Sequence, residues 1–199
     1  MTLVAVTQRV SVCQQTQERR DALDQNWTRL LQSSGVTPLL IPNTLQNPVD
    51  FFETSGARGL LLTGGNDLVS LGGNAPERDN LEMQLIAHAR DNTLPILGIC
   101  RGMQLIQNVF GVKLEAVMGH VTPNQIISVN GIERSVNSYH NFGSKETVPD
   151  LVVWARALDT TVKAVEHRSE NIKGLMWHPE RLHPFHSEDL DYIRRAFAS

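Results

Sequence analysis

The chain has 199 residues, 41% of them hydrophobic and 20% charged, which is enough apolar material to bury one sizeable core. A net charge of -3 with both signs interspersed excludes the basic footprint of a nucleic-acid or anionic-membrane binder. Two cysteines, Cys13 and Cys100, exclude a disulfide framework and make a reducing cytoplasm the expected location.

In chain order, residues 3–6 form the first expected strand; this apolar start is too short for a signal peptide, and no segment approaches a membrane-spanning length. Residues 18–33 carry Leu23, Trp27, Leu30 and Leu31 on one helical face, with Gly35 as a stop. A strand is expected at residues 39–41, a short helix at 49–54, and a strand at 60–62 running into a glycine loop. Residues 78–91 place Leu81, Leu85, Ile86 and Ala89 at helical spacing, followed by an apolar strand at 94–97 and a helix at 103–110. Beyond Gly111 the pattern turns to hairpins: residues 126–129 and 132–136 flank Asn130-Gly131, a two-residue turn signal. Strands continue at 151–158, 162–166 and 174–177, and residues 187–197 read as a capped helix with Glu188 and Asp189 in its first turn. Trp27, Trp154 and Trp177 are expected in the core, and Cys13 as an ordinary strand-end or packed residue.

This alternation, without repeat or linker, predicts one α/β domain over residues 1–199. Continuous apolar strands flanked by helices imply a mostly parallel central sheet, here with added antiparallel hairpin strands. Ligands in such sheets bind at the carboxyl ends of the strands.

Gly98-Ile99-Cys100-Arg101-Gly102 sits between an apolar strand and a helix, the arrangement of a nucleophile elbow. Small neighbours let the helix close on the strand, and the helix amino terminus turns its partial positive charge toward the sulfur, favouring the thiolate. Far along the chain, Trp177-His178-Pro179-Glu180 ends another apolar strand. Proline stops helix formation there, so His178 and Glu180 can project to one place, His178 as proton carrier for Cys100 and Glu180 as the group that holds its tautomer. His178, His183 and His186 with Glu180 lack the spacing of a metal site, and no Lys-Ser/Thr follows Thr63-Gly64-Gly65-Asn66 to make a phosphate loop. Neither metal nor cofactor is implied.

Cys100, His178 and Glu180 in this order resemble the class I glutamine amidotransferase superfamily, and within it the gamma-glutamyl hydrolase branch of stand-alone cysteine peptidases. The likeness spans nearly the whole chain. Residues 60–67 resemble the loop that supplies one oxyanion donor. Pro76-Glu77-Arg78-Asp79 with Glu82 resembles the stretch that marks the hydrolase branch, and Arg101 stands where synthetase-linked glutaminases more often have an aliphatic residue. Asn137-Ser138-Tyr139-His140 resembles a substrate-side loop that usually reads Asn-Ser-x-His-x-Gln, but Phe142 replaces the last residue. Thr7-Gln8-Arg9-Val10 with residues 18–27 is similar to compact hydrolases of bacterial surface-polysaccharide pathways, which act on gamma-glutamyl groups attached to cytidine diphosphate amines.

The resemblance implies hydrolysis of a gamma-glutamyl amide through a Cys100 thioester, releasing glutamate and an amine. It assigns the backbone amides of Gly65 and Arg101 to the oxyanion hole, Gln104 to the glutamyl head, and Asn137, Ser138 and His140 to the leaving-group side. Phe142 beside His140 suggests a larger amine, with Arg9, Arg19 or Arg168 meeting its phosphates. The implied partner is a small-molecule gamma-glutamyl substrate, with no nucleic acid, membrane or obligatory synthetase subunit; homo-oligomer formation is left open. Alternatives are a gamma-glutamyl aminobutyrate or polyamine substrate, or a glutaminase subunit that is held inactive until an amidotransferase partner docks.

Overall fold

From the amino terminus the elements are β1 (Thr2–Val6), β2 (Arg9–Val12), β3 (Arg19–Ala22), α1 (Gln25–Ser33), β4 (Val36–Leu40), α2 (Pro48–Ser55), β5 (Leu60–Leu62), α3 (Pro76–Asp91), β6 (Ile96–Ile99) and α4 (Arg101–Val109). Then come β7 (Glu115–Ala116), β8 (Val121–Val129), β9 (Ile132–Tyr139), β10 (Phe142–Gly143), β11 (Leu151–Ala157), β12 (Val162–His167), β13 (Ile172–Leu175) and α5 (Ser187–Ala196). The structure, a computed structural model, describes residues 1–198.

Nine strands form one sheet in the order β4-β1-β5-β6-β13-β12-β11-β8-β9. The pairings from β4 to β13 are parallel, and those from β13 to β9 antiparallel. The parallel half reads as continuous apolar sequence because helices cover both of its faces. Alternate residues along each strand serve opposite layers. Val4, Val6, Leu61, Leu97 and Ile99 pack with Trp27, Leu30, Leu31 and Ile193 of α1 and α5. On the other face, Ala5, Leu60, Leu62 and Ile96 pack with Phe52, Leu81, Leu85, Met103 and Ile106 of α2, α3 and α4. Each such aliphatic side chain contributes about 1.5–3 kcal/mol of burial.

The parallel pairing also places the site. β5, β6 and β13 are neighbours, with Leu62 opposite Gly98 and Ile99 opposite Leu175, so their carboxyl ends lie side by side. There β5 leads into Thr63-Gly64-Gly65, β6 into Cys100, and β13 into Trp177-His178.

Several expectations need correction. The helix expected over residues 18–33 begins at Gln25, because the Asp24 side chain accepts from the Asn26 amide and caps it there (2.9 Å). Residues 19–22 instead form β3, which pairs antiparallel with β2. The expected substrate loop at Asn137-Ser138-Tyr139 is the end of β9, whose hairpin with β8 turns at Asn130 and Gly131 with φ of 49° and 86°. Helix α5 starts at Ser187, and its preceding residue, His186, makes no side-chain cap bond. Trp27 and Trp177 are buried as expected, whereas Trp154 is half-buried and lines a surface cavity with Tyr192 and Arg168. Cys13 follows the end of β2, as expected of a strand-end residue.

Candidate active site

Cys100 is the residue between β6 and α4 and has φ 52°, ψ -104°. This left-handed conformation costs about 1–3 kcal/mol in a non-glycine residue and is held by its surroundings. The Cys100 amide donates to the Leu175 carbonyl (2.7 Å), and its carbonyl accepts from the Gln104 amide (3.0 Å). Glycine is required on both sides. A Cβ at Gly98 would lie 2.5 Å from the Gly102 carbonyl carbon, and one at Gly102 would lie 2.2 Å from the Leu62 oxygen. Helix and strands therefore touch backbone to backbone, and the sulfur sits at the tip of the turn.

His178 follows β13 and packs against Gly64 so closely that a Cβ there would stand 2.8 Å from its Cε1. Its Nδ1 lies 2.7 Å from Glu180 Oε1, both side chains being buried. A carboxylate accepts, so Nδ1 carries the proton in that bond and Nε2 is the free nitrogen; among the described residues Nε2 has no partner. Burial alone would push the His178 pKa down. The proximity of Cys100, then Glu180, outweighs burial and raises it to about 9.

The third wall is the loop after β5. Gly65 has φ 85° and lines the same cavity of about 470 Å³ as Cys100, Arg101, Gln104, Tyr139, His140, His178 and Arg181. Among the described residues neither the Gly65 nor the Arg101 amide has a hydrogen-bond acceptor. Arg101 is the first residue of α4, where the helix leaves its N–H groups unpaired.

The remaining expected residues divide. Gln104 lines the cavity, its amide nitrogen donating to the Phe142 carbonyl (2.8 Å) and its oxygen left for a ligand. His140 also lines the cavity, yet both of its ring nitrogens are engaged, Nδ1 with the Phe142 carbonyl (2.8 Å) and Nε2 with Lys163 Nζ (2.7 Å). Burial and the Lys163 charge keep it neutral, with a pKa near 3. Asn137 and Ser138 lie behind the wall rather than on it. The Asn137 amide brackets the His178 backbone, donating to its carbonyl and accepting from its N–H, each at 2.8 Å. Ser138 Oγ donates to the His120 carbonyl (2.8 Å) and accepts from Lys163 (2.9 Å). Phe142 acts through its carbonyl, and its ring is not part of the cavity wall.

Nor do the three expected phosphate arginines converge. Arg168 donates to the Pro149 carbonyl and lines the separate cavity beside Trp154, and Arg19 is bound to Glu77 and the Asn74 carbonyl. The stem of Arg9 covers Gly65. Two residues outside the sequence motifs join the site. Arg181 stands at the cavity mouth, its guanidinium 4.8 Å from the centre of the Tyr139 ring. Lys163 is buried beneath His140 and pushed down to about 7, burial outweighing the Cys100 and Asp159 charges. A lone lysine inside the apolar run Val162-Lys163-Ala164-Val165 is the signal that could have marked it.

Fold and site together define a cysteine-elbow α/β protein of the amidotransferase type. The family model described as glutamine amidotransferase class-I matches residues 18–197, and the chain belongs to that family. It is 32% identical over 185 residues to the gamma-glutamyl-CDP-amidate hydrolase of Campylobacter jejuni subsp. jejuni serotype O:2, covering 89% of this chain and 90% of that one. It is also 32% identical over 179 residues to one subunit of the glutamine-hydrolyzing GMP synthase of Pyrococcus furiosus, covering 85% and 88%. The structure of PurLQS from Thermotoga maritima shares the fold, with a TM-score of 0.71 at 19% identity over 98% of this chain and 97% of that one.

Proposed function

We propose that this protein hydrolyses a gamma-glutamyl amide through a thioester on Cys100, and that the amine released carries an anionic group such as cytidine diphosphate. The observation that carries this reading is that Cys100, His178 with Glu180 behind it, and Gly65 and Arg101, whose amides have no acceptor among the described residues, already meet at one cavity in the isolated chain. The C. jejuni hydrolase supports the substrate class.

The Cys100 thiolate attacks the delta carbonyl, and the carbonyl oxygen, now an anion, is received by the Gly65 and Arg101 amides, each worth about 3 kcal/mol to the transition state. The His178 imidazolium donates its Nε2 proton to the departing amine as the C–N bond breaks, leaving the thioester and a neutral imidazole. Water enters, gives a proton to His178 and attacks the thioester. Glutamate leaves and the thiolate is regenerated. Gln104 Oε1 faces the glutamyl head, and His140, with no hydrogen-bonding capacity to spare, acts as wall. A volume of about 470 Å³ lies within the ~300–1,000 Å³ of clefts that take ligands well beyond a single amino acid. Arg181 at the mouth offers the charge for phosphate oxygens.

The P. furiosus relative favours a second reading, a glutaminase that works within a synthetase. One experiment separates the two. The purified chain is assayed alone with glutamine, gamma-glutamyl aminobutyrate and a gamma-glutamyl amine bearing cytidine diphosphate. The proposal expects turnover without a partner and the highest kcat/KM for the nucleotide substrate, since each charge-assisted contact contributes about 1.5–3 kcal/mol. Glutamine as the best substrate, or activity only on adding a synthetase, rejects it.

A further inference from the structure

Arg78 on α3 is fully buried, and a charge out of water needs several partners. Its Nε donates to Glu82 Oε1 (2.9 Å), and Nη2 donates to the Thr63 carbonyl (2.6 Å) and hydroxyl (3.2 Å). Nη1 donates to the Gly64 carbonyl (3.2 Å), the Gly65 carbonyl and Asn66 Oδ1 (3.3 Å). Three consecutive carbonyls of the loop after β5 thus turn toward one guanidinium.

A trans peptide is planar, with its C=O and N–H pointing in opposite directions. The Gly64 carbonyl belongs to the same peptide as the Gly65 N–H. Aiming the first at Arg78 therefore aims the second away from it, toward the cavity that Gly65 lines. Two successive glycines would otherwise leave this peptide free to rotate. The anchor extends to the elbow. Glu82 gives its second oxygen to Arg101, and Arg101 also binds Asp79, whose Oδ2 accepts from the Val69 amide (2.8 Å). Burial lowers the Arg78 pKa to about 10, so the guanidinium remains charged at neutral pH; burial would raise that of Glu82, but Arg101 and Arg78 hold it below the usual range.

We propose that Arg78 is a positioning residue that fixes the Gly64–Gly65 peptide with its N–H facing Cys100, so that the oxyanion hole is complete without a second protein. The inference rests on the hydrolase reading above, since it concerns the same hole. Arg101 carries the second donor amide and is tied by its own side chain to the carboxylate that holds Arg78, so one buried cluster sets both donors.

The test is Arg78→Lys, which keeps a charge beside Glu82 but has one nitrogen and cannot fork across three carbonyls. Against a gamma-glutamyl anilide, kcat should fall by about 10²–10³-fold, the cost of one lost oxyanion donor, with KM within about 3-fold. Alkylation of Cys100 by iodoacetamide forms no oxyanion, so its rate should stay within about 2-fold. Crystal structures should show one orientation of the Gly64–Gly65 peptide in the parent and a reversed or mixed one in the variant. An unchanged kcat, an alkylation rate that falls in step with kcat, or an unmoved peptide overturns the proposal. A parent protein that does not cleave the anilide alone refutes the hydrolase reading instead, and the two peptide orientations then decide the role of Arg78. If Arg78→Lys does not fold, Glu82→Gln, which keeps the volume and loosens one bond of the anchor, carries the same comparison with about a 10-fold loss expected.

Discussion

Replacing Glu180 by Gln would remove one charge from the centre of the site without changing its volume. The carboxylate lies 2.7 Å from His178 Nδ1 and is 2% exposed, so solvent would screen little of the loss. Two consequences follow. The amide can present its NH2 to Nδ1, which would place the ring proton on Nε2 and spoil the tautomer that accepts from sulfur or water. The imidazolium also loses a partner. His178 stands at about 9 against an ordinary 6.5, a difference of 2.5 with each unit about 1.4 kcal/mol, and Glu180 is one of the causes after burial and Cys100.

Because the folded state favours protonated His178, the stabilisation from this pairing is complete below pH 6.5 and is lost as pH rises through about 9. Glu180→Gln should move that upper boundary down by about one unit. The same group protonates the leaving amine, so the alkaline limb of kcat/KM, which reports the free enzyme and is expected near pH 9 in the parent, should shift with it. At neutral pH kcat should drop about 10³-fold, inside the 10²–10⁴ that one general acid–base group contributes. The assay is kcat and kcat/KM for a gamma-glutamyl anilide from pH 6 to 10, with thermal midpoints over the same range. A variant within 3-fold of the parent with an unmoved alkaline limb would refute the assignment of His178 and Glu180.

Two further outcomes are expected. An electrophilic glutamine analogue should leave a single adduct, on Cys100, and Cys100→Ser should abolish turnover with the fold retained while Cys13→Ser has little effect; mass spectrometry finding the label on Cys13 would reject the nucleophile. Burial holds Lys163 near 7 where the unfolded chain's lysine sits at 10.5, so its contribution to stability rises with pH between these values and offsets the fall contributed by His178; Lys163→Met should remove that offset, so that stability falls more steeply in the variant than in the parent, as measured by urea unfolding at pH 6.5 and 9.5.

What was legible in the sequence is what depends on near neighbours. The elbow could be read because a strand, two glycines and a helix start are all local demands, and 2.5 and 2.2 Å approaches explain why no larger residue stands at 98 or 102. His178 and Glu180 could be read because the 178–180 turn alone brings them together. The Asn130-Gly131 hairpin followed from its turn chemistry. The start of α1 was misread because apolar spacing alone does not reveal that residues 19–22 have a strand partner in residues 9–12. Asn137 and Ser138 adjoin cavity residues in sequence, but side chains alternate along β9 and their partners, the His178 backbone and Lys163, lie 25 or more residues away. Arg181 and the arginine anchor likewise gain meaning only from contacts across the fold.

The buried lysine also bears on how such a site tolerates its own charges. On the proposed reaction Cys100 and His178 react as thiolate and imidazolium, beside Glu180 and Lys163, in surroundings that give charges little water. Attack moves the negative charge from sulfur to oxygen without changing the total. Expulsion of the amine then removes the oxyanion charge and the His178 proton together, which again leaves the total unchanged. No step of the proposed reaction changes the total charge of the interior, so nothing in the wall must rearrange to accommodate a new one. That wall is poorly able to rearrange, since His140, Asn137 and Ser138 have their polar atoms committed to Lys163, the Phe142 carbonyl and the backbones of His120 and His178. Hydrogen-bonding groups with capacity to spare lie instead at Gln104 and at the mouth around Arg181, so discrimination between leaving amines belongs to the mouth, while the buried wall keeps the reacting groups in register.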